Sequence, residues 1–203
     1  MKILHIITSA AAENSFSISL GKSIIEKLQI EQPHSIVNVR NLAINPLPHF
    51  DAIHLASLFT ATEAHTLEMT EVTLKADELI QELLEADAVV IGVPMYNFGI
   101  PSTLKSWIDF ISKPGKTFNY TETGPVGLIP DKPVFLAIAT GDIYSDEAFK
   151  MLDHTETYLR TILGGFLGMK NIKALRVEGM ASSEFKDTAL EKASLNVLKE
   201  VTW

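Results

Sequence analysis

The sequence predicts an α/β fold in which a doubly wound parallel sheet of five strands has helices on both faces. Short apolar runs alternate with longer segments of helical period along the chain, a pattern typical of βαβ units. Three of the apolar runs are continuous, as expected for strands covered on both faces. Because crossovers are right-handed, few arrangements remain, and five strands favour the order 2-1-3-4-5 over the longer Rossmann order.

The predicted strands and helices alternate strictly. The strands are Ile3–Ile7, Ser35–Arg40, Ala88–Val93, Pro133–Ala139 and Asn171–Val177. The helices are predicted at residues 17–29, 68–86, 101–113, 146–163 and 184–200. Residues 42–67 are irregular, with two prolines and a short predicted helix at 51–58, and their length indicates a functional or dimer-forming insertion. No repeat or linker composition is found, so a single domain over residues 1–203 is predicted.

The composition excludes several classes of protein. The absence of cysteine excludes disulfides, thiolate metal sites and a cysteine nucleophile, and is compatible with the predicted cytoplasmic location. A net charge of −8 without a basic cluster argues against nucleic-acid and membrane partners. The first apolar run is too short for a signal peptide or a membrane span. The histidines form no metal-binding motif, so no metal site is expected, and His5 is expected to be a hydrogen-bonded core residue.

Hydroxyl side chains cluster in the loop after the first predicted strand. The loop contains Ser9, Asn14, Ser15 and Ser17, and the last three lie where a helix should begin. A helix start offers unpaired amides and a partial positive charge to a phosphate. A plain N-cap role for Ser15 or Ser17 is the alternative. The loop lacks both the G-x-G-x-x-G and the G-x-x-x-x-G-K-[ST] motifs, which argues against a Rossmann NAD site and a P-loop.

The third predicted strand leads directly into Pro94-Met95-Tyr96-Asn97-Phe98-Gly99-Ile100-Pro101, which we call the ring loop. Two prolines and a glycine shape this loop, and it presents aromatic side chains that suit a flat ring. An Asn amide offers both a donor and an acceptor to the imide edge of a flavin. The alternative is that Tyr96 and Phe98 are core residues and Asn97 a turn residue.

With the downstream pattern Phe118-x-Tyr120-Thr121-Glu122-x-Gly124-Pro125-x-Gly127-Leu128, the ring loop closely resembles the FMN-dependent NADH:quinone oxidoreductase and azoreductase family. The resemblance covers nearly the whole chain and includes Ser9, Ser15-Phe16-Ser17, Arg40-x-Leu42 and Asn45-Pro46. It implies a flavodoxin-like fold, bound FMN, NADH or NADPH as co-substrate, and a homodimer. It also implies quinones and aromatic azo compounds as acceptors.

The same resemblance implies roles for individual residues. Ser9, Ser15 and Ser17, with the Phe16 backbone, would hold the FMN phosphate. The ring and ribityl chain would be lined by Met95, Tyr96, Asn97 and Phe98. The family has Ser-Arg-Gly-Gly after strand four, where this chain has Ala139-Thr140-Gly141-Asp142, so only Gly141 keeps its match. Either Asp142 faces solvent or the flavin is tuned differently.

Three aromatic residues are predicted to lie outside the strands and to form a slot for planar acceptors: Phe118, Tyr120 and Phe166. In the resembling family such residues gate the pocket, partly across a dimer interface. For Phe166, core packing at a helix end is the alternative.

The resemblance implies that FMN performs the electron transfer, so no catalytic side chain is expected. The sequence shows no His/Asp or paired-carboxylate arrangement that would act as acid and base. The predicted activity is an NAD(P)H:quinone oxidoreductase with ping-pong kinetics that also cleaves azo bonds. A flavodoxin-like one-electron carrier and a regulator without flavin are the alternatives. The aromatic slot and residues 42–67 favour the enzyme, because a carrier needs neither a substrate slot nor a dimer face.

Overall fold

A computed structural model describes residues 1–203, except the side chains of residues 184, 185 and 187. The strands are β1 (Lys2–Ile7), β2 (Ile36–Asn41), β3 (Ala88–Pro94), β4 (Phe118–Thr121), β5 (Gly124–Gly127), β6 (Val134–Ala139) and β7 (Ile172–Val177). The α-helices are α1 (Phe16–Glu31), α2 (Ala52–Phe59), α3 (Leu67–Glu85), α4 (Ser102–Ile111), α5 (His154–Leu159) and α6 (Ser183–Glu200). A π-helical turn at Arg160–Phe166 directly follows α5.

Five strands form one parallel sheet in the order β2-β1-β3-β6-β7. In sequence order of the sheet strands this is 2-1-3-4-5, so the predicted flavodoxin-like topology is confirmed. The central strands β3 and β6 are buried along their whole length, which explains why their sequences are continuous apolar runs. The two edge strands β2 and β7 are only partly buried.

Helices cover both faces of the sheet, as predicted. On one face α1 and α6 pack against alternate strand residues such as Ile3, Val90 and Phe135. On the other face α3, α4 and α5 pack against the residues that point the opposite way, such as Leu4 and Ile91. The hydrophobic core therefore consists of two layers separated by the sheet, and the carboxyl ends of the strands are left for loops.

The helix predicted at 146–163 begins later than expected. Residues 150–152 form a 3₁₀ turn, and α5 starts only after Asp153, whose Oδ1 accepts hydrogen bonds from the amides of Thr155 at 2.8 Å and Glu156 at 3.2 Å. Asp153 is thus the N-cap of α5, so the helix begins at His154 and the polar residues before Asp153 lie outside it. Near Gly164 and Gly165 the helix widens into the π-helical turn, which the sequence did not indicate.

The second correction concerns the aromatic residues at 118 and 120. Phe118 and Tyr120 were predicted to lie outside the strands, but both belong to β4, which pairs with β5 in an antiparallel hairpin apart from the main sheet. Each strand has four residues, too few to show a clear alternation in sequence. Glu122 and Thr123 form the turn between them, and Gly124, the first residue of β5, has a φ of 116° that favours glycine.

Candidate functional site

A cavity of about 270 Å³ lies at the carboxyl ends of β1, β3 and β6. The chain runs outward from β1 to β2 and returns to β3 on the other side of β1, so this is the switch point of the sheet, where doubly wound folds bind ligands. Crevices of similar volume lie beside Arg176 on β7, but they are away from the switch point. The cavity is lined by Ser9, Ala11, Asn14, Ser15, Phe16, Pro94, Met95, Tyr96, Ala139, Thr140, Gly141 and Met180.

One end of the cavity is the start of α1. Ser15 is the N-cap, because its Oγ accepts from the Ile18 amide at 3.4 Å and lies 3.0 Å from the Ser17 Oγ. In the described part of the chain, the amides of Phe16 and Ser17 find no acceptor. Ser9 is buried beside them, and its Oγ accepts from the Ala11 amide at 3.3 Å. Unpaired donors at a helix N-terminus form an anion site.

The N-cap alternative is correct for Ser15, and the phosphate role of the serines stays a prediction. Ser15 caps the helix and lines the cavity at the same time. Ser17 is fully buried, does not line the cavity, and instead holds the hydroxyl of Ser15. No Lys or Arg is found among the described residues that line the cavity, so any phosphate here would be held by backbone amides and hydroxyls.

The ring loop forms the second end of the cavity. The Met95 amide donates to the Ala139 carbonyl at 2.8 Å, which ties this loop to the loop after β6. Tyr96 and Gly99 exchange two backbone hydrogen bonds at 3.0 and 3.1 Å, and the residues between them, Asn97 and Phe98, have φ of 50° and 67°. This is a type I′ turn, and a left-handed Phe is strained.

The structure places the ring-loop residues in two groups. Met95 and Tyr96 line the cavity, whereas Asn97 and Phe98 lie on the exposed turn beside it. Phe98 is 46% exposed, so it is not the core residue that the alternative reading required. Its ring meets the edge of Tyr144, with centroids 6.3 Å apart.

The loop after β6 presents Thr140 and Gly141 to the cavity but turns Asp142 away. The Asp142 side chain is exposed, its Oδ1 accepts from the Ile143 amide at 2.8 Å, and it does not line the cavity. Of the two possibilities left open by the sequence, the structure favours a carboxylate that faces solvent.

Phe118, Tyr120 and Phe166 come together in one cluster, but none of them lines the cavity. Phe118 is 4% exposed and contacts Phe166 with ring centroids 4.2 Å apart, whereas Tyr120 is 73% exposed. The ring loop precedes α4 and the hairpin follows it, and a ten-residue helix spans about 15 Å. The cluster thus lies about one helix length from the ring loop of its own chain.

Comparison with known proteins agrees with this geometry. Residues 1–201 match the family model described as Flavodoxin-like fold. A protein of Herminiimonas arsenicoxydans named FMN-dependent NADH:quinone oxidoreductase is 40% identical over 201 residues, which cover 98% of each chain. The chain belongs to the family of FMN-dependent NADH:quinone oxidoreductases.

Solved structures support the assignment of this oxidoreductase. An azoreductase from Bacillus anthracis str. Sterne has a TM-score of 0.85 at 30% identity, with 98% of this chain and 99% of that chain covered. An FMN-dependent NADH-azoreductase from Bacillus anthracis str. Ames Ancestor, solved in complex with FMN, has the same TM-score at 27% identity and covers 99% of both chains.

The oxidoreductase has no acid–base pair in its cavity, since Tyr96 is the one ionisable side chain among the described lining residues. Two histidines are buried elsewhere. His54 lies between Phe50 and Phe110, with centroids 4.4 Å from each, and burial lowers its pKa. The predicted core position of His5 is confirmed, but its Nε2 has no hydrogen-bond partner, and its ring packs against Gly21 of α1. Among the described residues, no cluster of His, Asp or Glu is arranged to bind a metal ion.

Some lining residues of the oxidoreductase were not predicted. Met180 lies after β7, and Ala11 belongs to the turn before α1. The one available signal for Met180 was its position beyond the carboxyl end of the fifth strand, because its side chain has no distinctive chemistry.

Within the described part of the chain, no helix is both long and apolar enough to cross a membrane.

Proposed function

We propose that this oxidoreductase binds FMN in the cavity at the switch point and transfers two electrons from NADH or NADPH to quinones and aromatic azo compounds. The observation that carries the proposal is that one cavity has polar hydrogen-bond donors at one end and an aromatic, partly apolar loop at the other. Unpaired amides and serine hydroxyls lie at the start of α1, and the ring loop lies opposite. The names of the relatives, one of them solved with FMN, support this choice of cofactor.

The phosphate end fits the FMN phosphate. Hydrogen-bond donors for the phosphate are the amides of Phe16 and Ser17 and the hydroxyls of Ser9 and Ser15, and no Lys or Arg is among the described lining residues. The α1 dipole also favours an anion at this point. Ser17 contributes its amide, while its hydroxyl orients that of Ser15.

The ring end fits a flat, partly apolar group. Met95, Tyr96 and Gly141 would hold the ring and ribityl chain, and Asn97 and Phe98 would border its open side. When bound, FMN supplies the two-electron chemistry that the side chains lack. Since the described lining residues offer no acid other than the Tyr96 phenol, the protons consumed in quinone reduction would come from solvent.

Donor and acceptor would use the same opening in turn, which predicts ping-pong kinetics. Tyr96, 42% exposed, and its neighbours Asn97 and Phe98 on the ring loop border this opening, so their side chains would contact first the nicotinamide and then the acceptor.

We further propose a cytoplasmic homodimer in which the aromatic cluster of one chain borders the cavity of the other. Tyr120 is highly exposed and lies about one helix length from the ring loop of its own chain, which supports a role for it across an interface.

An anaerobic titration tests the proposed function. The purified protein should carry bound flavin, lose its visible absorbance with one equivalent of NADH per flavin, and regain it when benzoquinone is added. Free FMN under the same conditions is the control. A protein that retains flavin but is not reduced by NADH would instead be a one-electron carrier, and a protein that takes up no FMN would be a regulator without flavin.

Kinetics and hydrodynamics test the finer parts. Initial rates with both substrates varied should give parallel double-reciprocal lines, and intersecting lines would reject ping-pong kinetics alone. Sedimentation equilibrium should give twice the mass of the chain, and a monomer would reject the shared site.

A further inference from the structure

Arg176 on β7 is the centre of an ion-pair network that the proposed FMN site does not use. Its guanidinium donates to Asp153, to Glu156 at 2.6 Å and to Glu178 at 3.3 Å. The three carboxylates come from two places along the chain, the start of α5 and the residue after β7, and the Asp153 and Glu178 side chains are 6% and 13% exposed. The planar, five-donor fork of an arginine is well suited to pair with several carboxylates in this way.

The first connection from Arg176 leads to Tyr144. Glu178 Oε1, which accepts from Arg176, also accepts from the backbone amides of Tyr144 at 3.0 Å and Ser145 at 3.1 Å. The Tyr144 ring in turn packs edge-on against the ring of Phe98, at an interplanar angle of 77°. Arg176 is therefore connected, through Glu178, to the backbone of the residue whose ring packs against Phe98.

The second connection leads to the backbone of Phe98. Arg176 pairs with Asp153, the N-cap of α5, and with Glu156 in its first turn. The first residue of α5, His154, donates its amide to the Phe98 carbonyl at 3.1 Å. Both connections thus end on the same residue of the ring loop.

Phe98 needs such support, because a non-glycine residue with a φ of 67° is strained and persists only when its surroundings hold it. Residues 145–150 between the two connections are exposed, so they contribute little packing of their own. Without Arg176 the three carboxylates would also repel one another, which would open the segment further.

We propose that Arg176 is a positioning residue for the ring end of the cavity: it holds Tyr144 and α5 against Phe98 and so keeps the ring loop in its left-handed turn. The inference rests on the proposed function, since the ring loop is the part of the site that would contact FMN and the acceptor.

The main experiment compares Arg176→Gln with Arg160→Gln. Arg160 is a matched control because it also pairs with Glu156, at 2.7 Å, and donates to the Ile172 carbonyl at 3.1 Å, but in the described part of the chain it makes no bond to Glu178, the carboxylate that accepts from the Tyr144 amide. Hydrogen exchange of residues 142–153 should be about tenfold faster in Arg176→Gln, equivalent to about 1.4 kcal/mol, and close to wild type in Arg160→Gln. The FMN dissociation constant and the KM for benzoquinone should rise in the same variant, with a smaller change in kcat.

A second set of variants separates positioning from general loss of stability. Glu178→Gln keeps a carbonyl oxygen for the amides of Tyr144 and Ser145, whereas Glu178→Ala does not, so only the alanine variant should show the fast exchange. Arg176→Lys should restore part of the protection. Equal exchange in all variants would overturn the inference. If wild-type protein binds no FMN, the proposed function fails, while the exchange comparison still decides the role of Arg176.

Discussion

Protonation of His5 should make the fold sensitive to acid. This residue of β1 is 3% exposed, and burial, with a smaller contribution from Lys22, lowers its pKa from 6.5 to about 4. The unfolded chain binds a proton near its ordinary pKa, whereas the folded protein resists until about pH 4. Stability is therefore complete above about pH 6.5 and falls as the pH drops toward 4, by about 2 kcal/mol at about pH 5.

Urea denaturation at about pH 7.5 and about pH 5 measures this loss at matched flavin content. The variant His5→Leu should lose about 2 kcal/mol less than wild type between the two conditions. His34→Gln, at an exposed position, is the control and should behave as wild type. Buried His54 is present in every variant, so its contribution cancels. If His5→Leu lost as much stability in acid as wild type, the assignment of a neutral, buried His5 would be refuted.

Three further predictions concern the site and its support. Ser15→Ala should weaken FMN binding about tenfold in a fluorescence titration and lower the free energy of unfolding by about 1 kcal/mol; unchanged FMN affinity would contradict its phosphate role. Gly127→Ala would place a Cβ 2.2 Å from the Leu167 carbonyl carbon and should cost about 3 kcal/mol in denaturation. Gly165→Ala meets nothing within 4 Å and should cost nothing, and equal losses would disprove the steric argument. Asp142→Asn should raise the flavin midpoint potential by no more than about 20 mV, because an exposed charge contributes less than about 1 kcal/mol; a larger shift measured by dye equilibration would mean that the carboxylate reaches the ring.

The sheet could be predicted because buried parallel strands require continuous apolar segments in the sequence. β3 and β6 must be apolar on both faces, and each is followed by a helix, so their positions and order can be read from the chain alone. The single-domain assignment stays a prediction.

The missed elements depend on contacts between distant residues. The β4–β5 hairpin is held by pairing between two four-residue strands, and the late start of α5 depends on Asp153, which is in turn fixed by Arg176. Such contacts have no periodic signal in the sequence. The unpaired Nε2 of His5 likewise depends on its position against Gly21.

The candidate site was predicted in its centre and less well at its border. Ser9, Ser15, Phe16, Met95, Tyr96 and Gly141 line the cavity, since they follow strands whose carboxyl ends must meet. Ser17, Asn97 and Phe98 adjoin it without lining it. Their side-chain directions depend on the turn at the start of α1 and on the left-handed turn of the ring loop.

A phosphate end without a cationic side chain has a consequence for cofactor retention at different ionic strengths. Sites built on Arg or Lys lose affinity for anions as salt screens the attraction. Here the lining donors are uncharged and the whole chain has a net charge of −8, which repels a phosphate dianion over long range. Added salt would screen this repulsion and leave the short hydrogen bonds intact. Under the proposed function, the affinity for FMN should therefore not fall as the ionic strength rises.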